Sequence, residues 1–182
     1  MENFTDEKLM QLVKQDKLDM MSHLFNRYHL RIYNFSLLMT RDKDISNDIT
    51  QEVFYKAIKY RRTYKNAKFS SWIYSIARNL CNDHFRSLRK TEQKIEDLRF
   101  TSEQDESHKI EPIGSVEQLN SALKKLSIGD RELIIMSRYQ GMRYSEIAEI
   151  TGSTVGAVKT KIHRALQKLK DHYFANKKHY EL

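Results

Sequence analysis

Residues 141–170 read GMRYSEIAEITGSTVGAVKTKIHRALQKLK, two helical patterns that are separated only by Gly152 and Ser153. On both sides of this break apolar residues recur at steps of three and four, the spacing of an amphipathic helix. Gly152 can adopt the left-handed conformation that ends a helix, and the hydroxyl of Thr154 can cap the next one. Two helices joined this tightly must cross at a steep angle, so the stretch predicts a helix-turn-helix.

The second of these helices, from Thr154 to Lys170, combines an apolar stripe with a cationic face. The stripe expected to face the core comprises Val155, Val158, Ile162, Leu166 and Leu169. The opposite face starts with small residues, continues with Arg and Gln, and has lysines on both flanks, with no acidic residue before Asp171. Small residues allow close approach to a DNA groove, Arg and Gln read base edges, and lysines bind phosphates. The residues predicted to contact duplex DNA are Ser153, Thr154, Gly156, Ala157, Lys159, Thr160, Lys161, His163, Arg164 and Gln167.

Charge is distributed unevenly along the 182 residues. The chain carries 32 Lys and Arg against 24 Asp and Glu, a formal net charge of +8. Residues 91–115 nevertheless hold seven acidic and three basic side chains, a net charge of −4 that leaves +12 for the rest. This stretch also contains the only proline, Pro112, and lacks a sustained apolar period. It is therefore predicted to be a flexible acidic linker between two basic modules.

A low content of turn-forming residues indicates an all-α chain. Five glycines and one proline cannot supply the turns that many short strands need. Within 1–90, the expected helices are a short one capped by Asp6, one from Met21 to Met39, one from about Ile45 to Tyr60 and one from about Phe69 to Arg89. Within 116–182, an amphipathic segment from Val116 to Leu126 and a helix from Asp130 to Tyr139 precede the helix-turn-helix. We therefore predict two small helical domains, 1–90 and 116–182, joined by the linker 91–115.

One side of the third predicted helix carries acidic, amide and aromatic side chains. Asp48, Gln51, Glu52 and Tyr55 are spaced so that they share this side. Such a patch on a basic chain is typical of a protein-docking surface rather than of a DNA contact.

The fourth predicted helix and the loop before it combine aromatic, amide and basic side chains. Aromatic rings can stack on exposed bases, and guanidinium and amide groups can bind phosphates or base edges, as capture of single-stranded DNA requires. Trp72 and Cys81, by contrast, are expected to pack in the core. The residues predicted to contact a single strand are Tyr64, Lys65, Asn66, Lys68, Ser71, Tyr74, Arg78, Asn82, Arg86 and Arg89.

Three stretches resemble, in the right order, the conserved regions of the sigma-70 family of bacterial RNA polymerase sigma factors. Residues 48–57 (DITQEVFYKA) resemble region 2.2, residues 69–86 (FSSWIYSIARNLCNDHFR) resemble regions 2.3 and 2.4, and residues 141–165 resemble region 4. No stretch resembles the family's region 3 or region 1.1, which points to the extracytoplasmic-function (ECF) subclass. Arg143 departs from the pattern, because relatives often have a Ser or Thr N-cap there, and its presence is expected to weaken that helix start. Ala157 stands where a Thr is frequent.

The resemblance implies a function in transcription initiation and a set of partners. Region 4 would read the −35 promoter element and hold the β flap of core RNA polymerase, and region 2.2 would dock on the β′ coiled coil. Regions 2.3 and 2.4 would open and read the −10 element, with the loop 61–68 receiving a flipped-out base. An anti-sigma factor or other recruiting protein is a further candidate partner.

The sequence also argues against two other classes of protein. A dimeric repressor or activator with the same helix-turn-helix would need a ligand-binding or receiver domain, for which 1–90 offers no α/β pattern. A nuclease or recombinase would need converging carboxylates and histidines, and Asp48, Glu52 and Asp83 lack metal-ligand spacing. A merely solvated cationic helix would not require the turn at Gly152.

Cysteine content and the absence of long apolar runs limit the chemistry and the cellular location expected for the chain. Cys81 is the single cysteine, so it cannot form an intramolecular disulfide, and no histidine or cysteine pair lies at zinc-ligand spacing around it. The sequence begins without a signal peptide and contains no apolar run of the roughly 20 residues that span a bilayer. We therefore expect a cytoplasmic protein with no catalytic residues, no metal, no cofactor and no membrane insertion.

Overall fold

A computed structural model describes residues 4–65, 68–96 and 116–175, and within these ranges the chain forms helices and turns without any strand. The N-terminal module consists of α1 (Asp6–Lys14), α2 (Met21–Thr40), α3 (Lys43–Lys59) and α4 (Phe69–Glu96), with short 3₁₀ turns at Leu18–Met20 and Arg61–Thr63. The C-terminal module consists of α5 (Val116–Lys124), α6 (Ile128–Ile134), α7 (Tyr144–Thr151) and α8 (Val155–Phe174), with a π-helical turn at Ile135–Tyr139 after α6. The predicted all-α fold of two helical domains is confirmed.

The helix starts in the N-terminal module are fixed by short polar side chains. Thr5, not Asp6, is the N-cap of α1, because its hydroxyl accepts the Lys8 N–H at 3.2 Å. Asp6 instead ties α1 to α2, where its carboxylate lies 2.5 Å from the Tyr28 hydroxyl. Asp42 caps α3 by accepting the N–H groups of the next turn. The prediction of Asp6 as a cap was therefore wrong by one residue.

Helix α4 is longer than predicted. It continues to Glu96, so that residues 91–96, expected to belong to the linker, are helical. The rest of the predicted linker, residues 97–115, lies outside the described residues. The fully buried positions include Ile73, Tyr74, Ala77 and Cys81, whereas Ile76 and Leu80 are only partly buried. The core position expected for Cys81 is confirmed, and partly buried Trp72 packs against the same core.

The helix-turn-helix has the turn chemistry that the sequence predicts. Gly152 ends α7 in the left-handed region, with φ of 63°, and the Thr154 hydroxyl accepts the Ala157 N–H at 3.2 Å. In α8, Val158 and Ile162 are buried as expected, but Val155 is 49% exposed. Val155 stands in the first turn of α8, which projects beyond the core, so its assignment to the core stripe was wrong.

Helix α7 starts without a hydroxyl cap. The carboxylate of Glu146 accepts the backbone N–H of Arg143 at 2.8 Å, which satisfies the helix start from the opposite direction. The weak start expected from Arg143 therefore has a compensating contact within the same turn.

The two modules pack against each other. Apolar residues of the C-terminal module, among them Met136 and Ile147, belong to the same hydrophobic core as Phe35 and Tyr74 of the N-terminal module. In the part of the chain that the structure describes, no helix is both long enough and apolar enough to cross a membrane.

Candidate nucleic-acid and protein-docking surfaces

Helix α8 presents the predicted DNA-reading face to solvent. Its exposed members are Thr154, Gly156, Lys159, Thr160, Lys161, His163, Arg164 and Gln167, while Ser153 and Ala157 are partly buried. Two of the hydroxyls have local partners, because Thr154 caps the helix and Thr160 donates to the Gly156 carbonyl at 3.1 Å. The amide of Gln167 donates to the Asp171 carboxylate one turn later, at 3.1 Å. The structure therefore brings the predicted side chains together on one accessible face.

The cations of this face differ in how far they are neutralised. Lys168, on the flank, pairs with Asp130 at 2.7 Å. Within the described ranges, Lys159, Lys161 and Arg164 form no ion pair, so their charges face solvent. Three of the basic side chains line a cleft of about 370 Å³ whose other wall is formed by residues of α4 and α6. Solvent-exposed cations beside a helix that can enter a DNA groove are suited to phosphate binding.

Helix α3 carries the predicted docking strip. Asp48, Gln51 and Tyr55 are exposed, and Glu52 is partly exposed beside them. The ammonium of Lys59 lies 5.5 Å from the centre of the Tyr55 ring, and the ring is 57% exposed. An aromatic ring held in water next to acidic and amide groups has the composition of a protein-contact surface.

The predicted single-strand surface is only partly accessible. Lys65, Lys68, Arg86 and Arg89 are exposed and Asn82 is partly buried, whereas Tyr64, Ser71 and Tyr74 are buried. Asn66 lies outside the described residues. Arg86 pairs with Asp83 at 3.0 Å, so part of its charge is already neutralised.

Tyr64 belongs to the core of the N-terminal module. Its ring packs edge-on against Trp72, with ring centres 5.3 Å apart, and against Phe69. Burial raises the pKa of Tyr64 to about 12, so the phenol remains protonated. The expectation that it stacks on DNA is corrected, because an aromatic residue in a basic loop can anchor the loop as well as bind a base.

The C-terminal module covers the middle of the single-strand surface. The Tyr74 hydroxyl donates to the Gln140 side chain at 2.6 Å, and burial raises the pKa of Tyr74 to about 12. Arg78 pairs with Glu132, Nε to Oε1, at 2.6 Å. In this arrangement the Tyr74 ring is buried, and the charge of partly exposed Arg78 is engaged by Glu132. The spacing of residues within α4 gives no sign of these partners, of which Gln140 lies 66 residues further along the chain.

A second ion pair closes the edge of the same interface. Lys68 pairs with Glu146 at the start of α7. Burial alone would raise the pKa of Glu146, but hydrogen bonds from Lys68 and from the Arg143 N–H hold it below its ordinary value. For Glu132 the balance is opposite, since burial raises its pKa more than the charge of Arg78 lowers it.

Arg131 is an interface residue that the sequence did not reveal. It is buried, and its guanidinium donates to the carbonyls of Leu123 at 3.0 Å and Lys124 at 2.9 Å, at the end of α5. The same group donates to the Met39 carbonyl at 3.0 Å, near the end of α2 in the other module. One cation thus caps the negative ends of two helices. Its acceptors are backbone carbonyls, which every residue carries, so the sequence gives no sign of these contacts.

The described part of the chain shows no arrangement suited to metal or thiol chemistry. No three His, Cys, Asp or Glu side chains converge there as metal ligands would. Burial raises the pKa of Cys81 to about 12, which keeps it a thiol rather than a nucleophilic thiolate.

Comparison with known proteins agrees with the geometry. Residues 24–91 match the family described as Sigma-70 region 2, and residues 116–169 match Sigma-70, region 4. The RNA polymerase sigma factor SigV of Bacillus subtilis is 30% identical over 137 residues, 74% of this chain and 80% of SigV. The ECF RNA polymerase sigma factor BldN of Streptomyces coelicolor is 28% identical over 171 residues, which cover 89% of this chain but only 64% of BldN.

A solved structure shares the fold. The sigma factor RpoE of Bartonella quintana, determined in complex with the anti-sigma factor NepR, superposes with a TM-score of 0.64 at 21% identity. The match covers 84% of this chain and 95% of that one.

Proposed function

The chain belongs to the sigma-70 family, in its extracytoplasmic-function subclass, and we propose that it reads the −35 element as a duplex and captures the melted −10 strand. It is thus a sigma factor that serves transcription initiation. The families and relatives that it matches are transcription factors and not enzymes. In this proposal residues 1–90 bind the −10 element, residues 91–115 form the linker and residues 116–182 bind the −35 element.

Exposed side chains on α8 carry this proposal. Arg164 and Gln167 stand where a helix lying in the major groove would present them to base edges. Lys159 and Lys161 flank them with charges that face solvent, in position for phosphates. The small residues Gly156 and Ala157 at the helix start let the backbone approach the groove.

Capture of the −10 strand is proposed to use α4 and the loop before it. Lys65, Arg86 and Arg89 are already exposed, whereas Lys68 and Arg78 are engaged by the C-terminal module. Strand binding by the covered residues therefore requires the two modules to separate. Separation would expose Tyr74, whose ring can then stack on an unpaired base.

The energy for opening DNA is proposed to come from these contacts and not from covalent chemistry. Unstacking a base costs a few kcal/mol, which cationic contacts to phosphates and aromatic stacking can offset. Docking of α3 through Asp48, Gln51, Glu52 and Tyr55 would place both DNA surfaces on core polymerase, with the β′ coiled coil and the β flap as the proposed sites.

An anti-sigma factor is a proposed partner as well. The relative from Bartonella quintana was determined with its anti-sigma factor bound. A protein of that kind could hold the two modules together, because the contacts that join them here already cover Tyr74 and Arg78.

The test combines the purified chain with sigma-free core polymerase and a library of promoter fragments. The expected result is a stable complex that initiates only on fragments with particular −35 and −10 sequences. A Gln51→Ala/Tyr55→Ala variant serves as the docking control and Arg164→Ala as the −35 control. Failure to bind core polymerase, or specific DNA binding by the free chain as a dimer, contradicts the proposal and favours a conventional dimeric regulator.

A further inference from the structure

Helix α1, together with Asp16 just after it, contacts the loop between α3 and α4 and the start of α4 at three separate points. Residues 61–65 and 68 are the described part of this loop, called here the strand loop. Helix α1 lies before the residues that match Sigma-70 region 2, which begin at 24. Its contacts with the strand loop are therefore not accounted for by that match.

The first contact holds the entrance of the strand loop. Asp16, just after α1, accepts the Arg61 Nε–H at 2.8 Å and lies 3.4 Å from the Arg62 guanidinium. Asp16 adopts a left-handed backbone, with φ of 67°, which turns the chain so that its carboxylate meets both arginines. The guanidinium of Arg61 also donates to the Ile58 carbonyl at 3.0 Å, near the end of α3. Arg61 is thus used to fix the loop.

The second contact holds the middle of the strand loop. The ammonium of Lys14 donates to the Tyr64 carbonyl at 2.8 Å, in a partly buried position. The Tyr64 side chain is itself fully buried against Trp72 and Phe69. Backbone and side chain at this position are therefore both held.

The third contact holds the exit. The Glu7 carboxylate accepts the backbone N–H of Phe69 at 3.2 Å, the first residue of α4. Amides in the first turn of a helix have no partner within the helix, and a carboxylate there also meets the positive end of the helix dipole. Glu7 therefore caps α4 from a different helix.

Helix α1 is rigidly placed. Leu9, Met10 and Val13 are buried in the core, and Asp6 bonds to Arg27 and Tyr28 of α2. Three basic side chains of the described loop residues are exposed: Lys65, Arg62, which is shared with Asp16, and Lys68, which is shared with Glu146. The described residues of the loop are held near its entrance and at Tyr64, and the start of α4 is held as well, so the geometry of these basic groups depends on α1 and Asp16.

We propose that Glu7, Lys14 and Asp16 are positioning residues that set the base preference of the strand loop for the −10 strand, without touching DNA themselves. This rests on the proposed function, in which the loop binds that strand. Recognition of an unpaired base depends on hydrogen bonds at defined distances, so a loop freed to shift should bind several bases with similar strength. The loss should appear in base selection more than in overall affinity, because phosphate contacts tolerate small displacements.

The experiment uses full-length chain bound to core polymerase and promoters that carry each of the four bases at each −10 position. The test variant is Lys14→Met/Asp16→Asn, in which Asn keeps the preference for left-handed backbone while the negative charge is removed. We expect the ratio between the best and worst base at one or more positions to fall roughly fivefold, the share of one base contact. Binding to duplex −35 fragments should be unchanged.

Two further variants separate positioning from simple stability. Lys14→Arg, made in the otherwise unaltered chain, keeps a cation that can donate to the Tyr64 carbonyl, and it should retain the wild-type base ratio. Lys8→Met alters an exposed side chain of the same helix and should leave the ratio unchanged. Melting temperatures are measured for all variants under the same conditions.

The outcomes are distinguishable. Base ratios in Lys14→Met/Asp16→Asn equal to those of the unaltered chain would overturn this inference while leaving the proposed function intact. A fall that tracks melting temperature across all variants, and that Lys14→Arg shows as well, would also overturn it. If the unaltered chain shows no base preference at the −10 element, the proposed function itself fails.

Discussion

Arg78 on α4 lies 2.6 Å from Glu132 on α6, and this ion pair crosses the interface between the two modules. The Glu132 side chain is only 5% exposed, while that of Arg78 is 28% exposed. Burial raises the pKa of Glu132 despite the nearby cation, so the desolvation of this carboxylate offsets part of its attraction to Arg78. The pair does restrict the charge that position 132 can carry, because a cation there would be buried opposite the cation of Arg78.

A Glu132→Lys substitution should therefore separate the modules. An uncompensated buried charge typically costs about 3–5 kcal/mol, and opening the interface relieves that cost. The measurement is energy transfer between fluorophores placed on exposed sites of the two modules in the free chain. Glu149→Lys, an exposed change on α7, should leave the transfer efficiency unaltered, and Arg78→Glu/Glu132→Lys should restore it. High transfer in Glu132→Lys would show that the pair does not govern closure.

The second interface pair should give the chain an acid-sensitive component of stability. The pKa of Glu146 is lower in the folded chain than its ordinary value of 4.5, so its contribution is complete above that value. The contribution is lost as the pH falls through the lowered folded-state pKa. Glu146→Gln keeps an acceptor for the Arg143 N–H but loses the charge, and should cost about 0.5–1 kcal/mol at neutral pH because Lys68 is half exposed.

Urea unfolding of the unaltered chain and Glu146→Gln between pH 7 and pH 3 checks this expectation. The difference in free energy of unfolding should be constant near neutrality and shrink in acid. Lys68→Met should remove the same pH-dependent part. A difference that stays constant down to pH 3 would contradict the assignment.

Arg131 should be the most sensitive single polar position of the interface. Replacing it with Met leaves the carbonyls of Leu123, Lys124 and Met39 buried without their donor, which should cost about 2–4 kcal/mol. Lys at this position keeps the charge but supplies fewer directed donors, so an intermediate loss is expected. The midpoint of urea unfolding reports both. Exposed Arg138→Met is the control, and equal midpoints for Arg131→Met and this control would show the carbonyl contacts to be unimportant.

Local patterns predicted local structure well, and contacts between distant segments account for what they missed. Gly152 and Thr154 act within one turn of the chain, so their conformations could be read directly from residue type. The burial of Tyr74 depends on Gln140, which belongs to the other module, and no periodicity within α4 encodes that partner. Arg131 binds backbone carbonyls at the ends of two helices, α2 and α5, and any residue type could supply such carbonyls. The candidate DNA face of α8 was accessible to prediction because a surface facing solvent depends only on its own helix.

The cations of α8 should differ in their contribution to the salt dependence of −35 binding. Each phosphate neutralised by the protein steepens the fall of log affinity with log salt concentration by about 0.9. Lys161 forms no ion pair among the described residues, so Lys161→Ala should reduce the slope by that amount. Lys168 already pairs with Asp130 at 2.7 Å, and Lys168→Ala should reduce it less.

Binding of the polymerase complex to −35 duplexes, measured over a range of KCl concentrations, gives both slopes. Arg164→Ala should instead lower discrimination between bases by about 1–3 kcal/mol at one position. Equal slopes for Lys161→Ala and the unaltered chain would exclude Lys161 as a phosphate contact.

The strip on α3 should govern binding to core polymerase without affecting the fold. Asp48, Gln51 and Tyr55 are exposed, so substitutions there leave no cavity and should not shift the melting temperature. Tyr55→Ala removes a large exposed ring of the kind that dominates protein interfaces, and Asp48→Arg reverses the charge of the strip. Each should weaken binding by about 2 kcal/mol, roughly thirtyfold.

Competition with a labelled sigma factor for core polymerase measures this loss. Asp19→Arg, an exposed charge reversal outside the strip, should compete as well as the unaltered chain. If Asp48→Arg and Tyr55→Ala also compete equally well, polymerase must dock on another face of the chain. Binding at that other face would then have to separate the two modules.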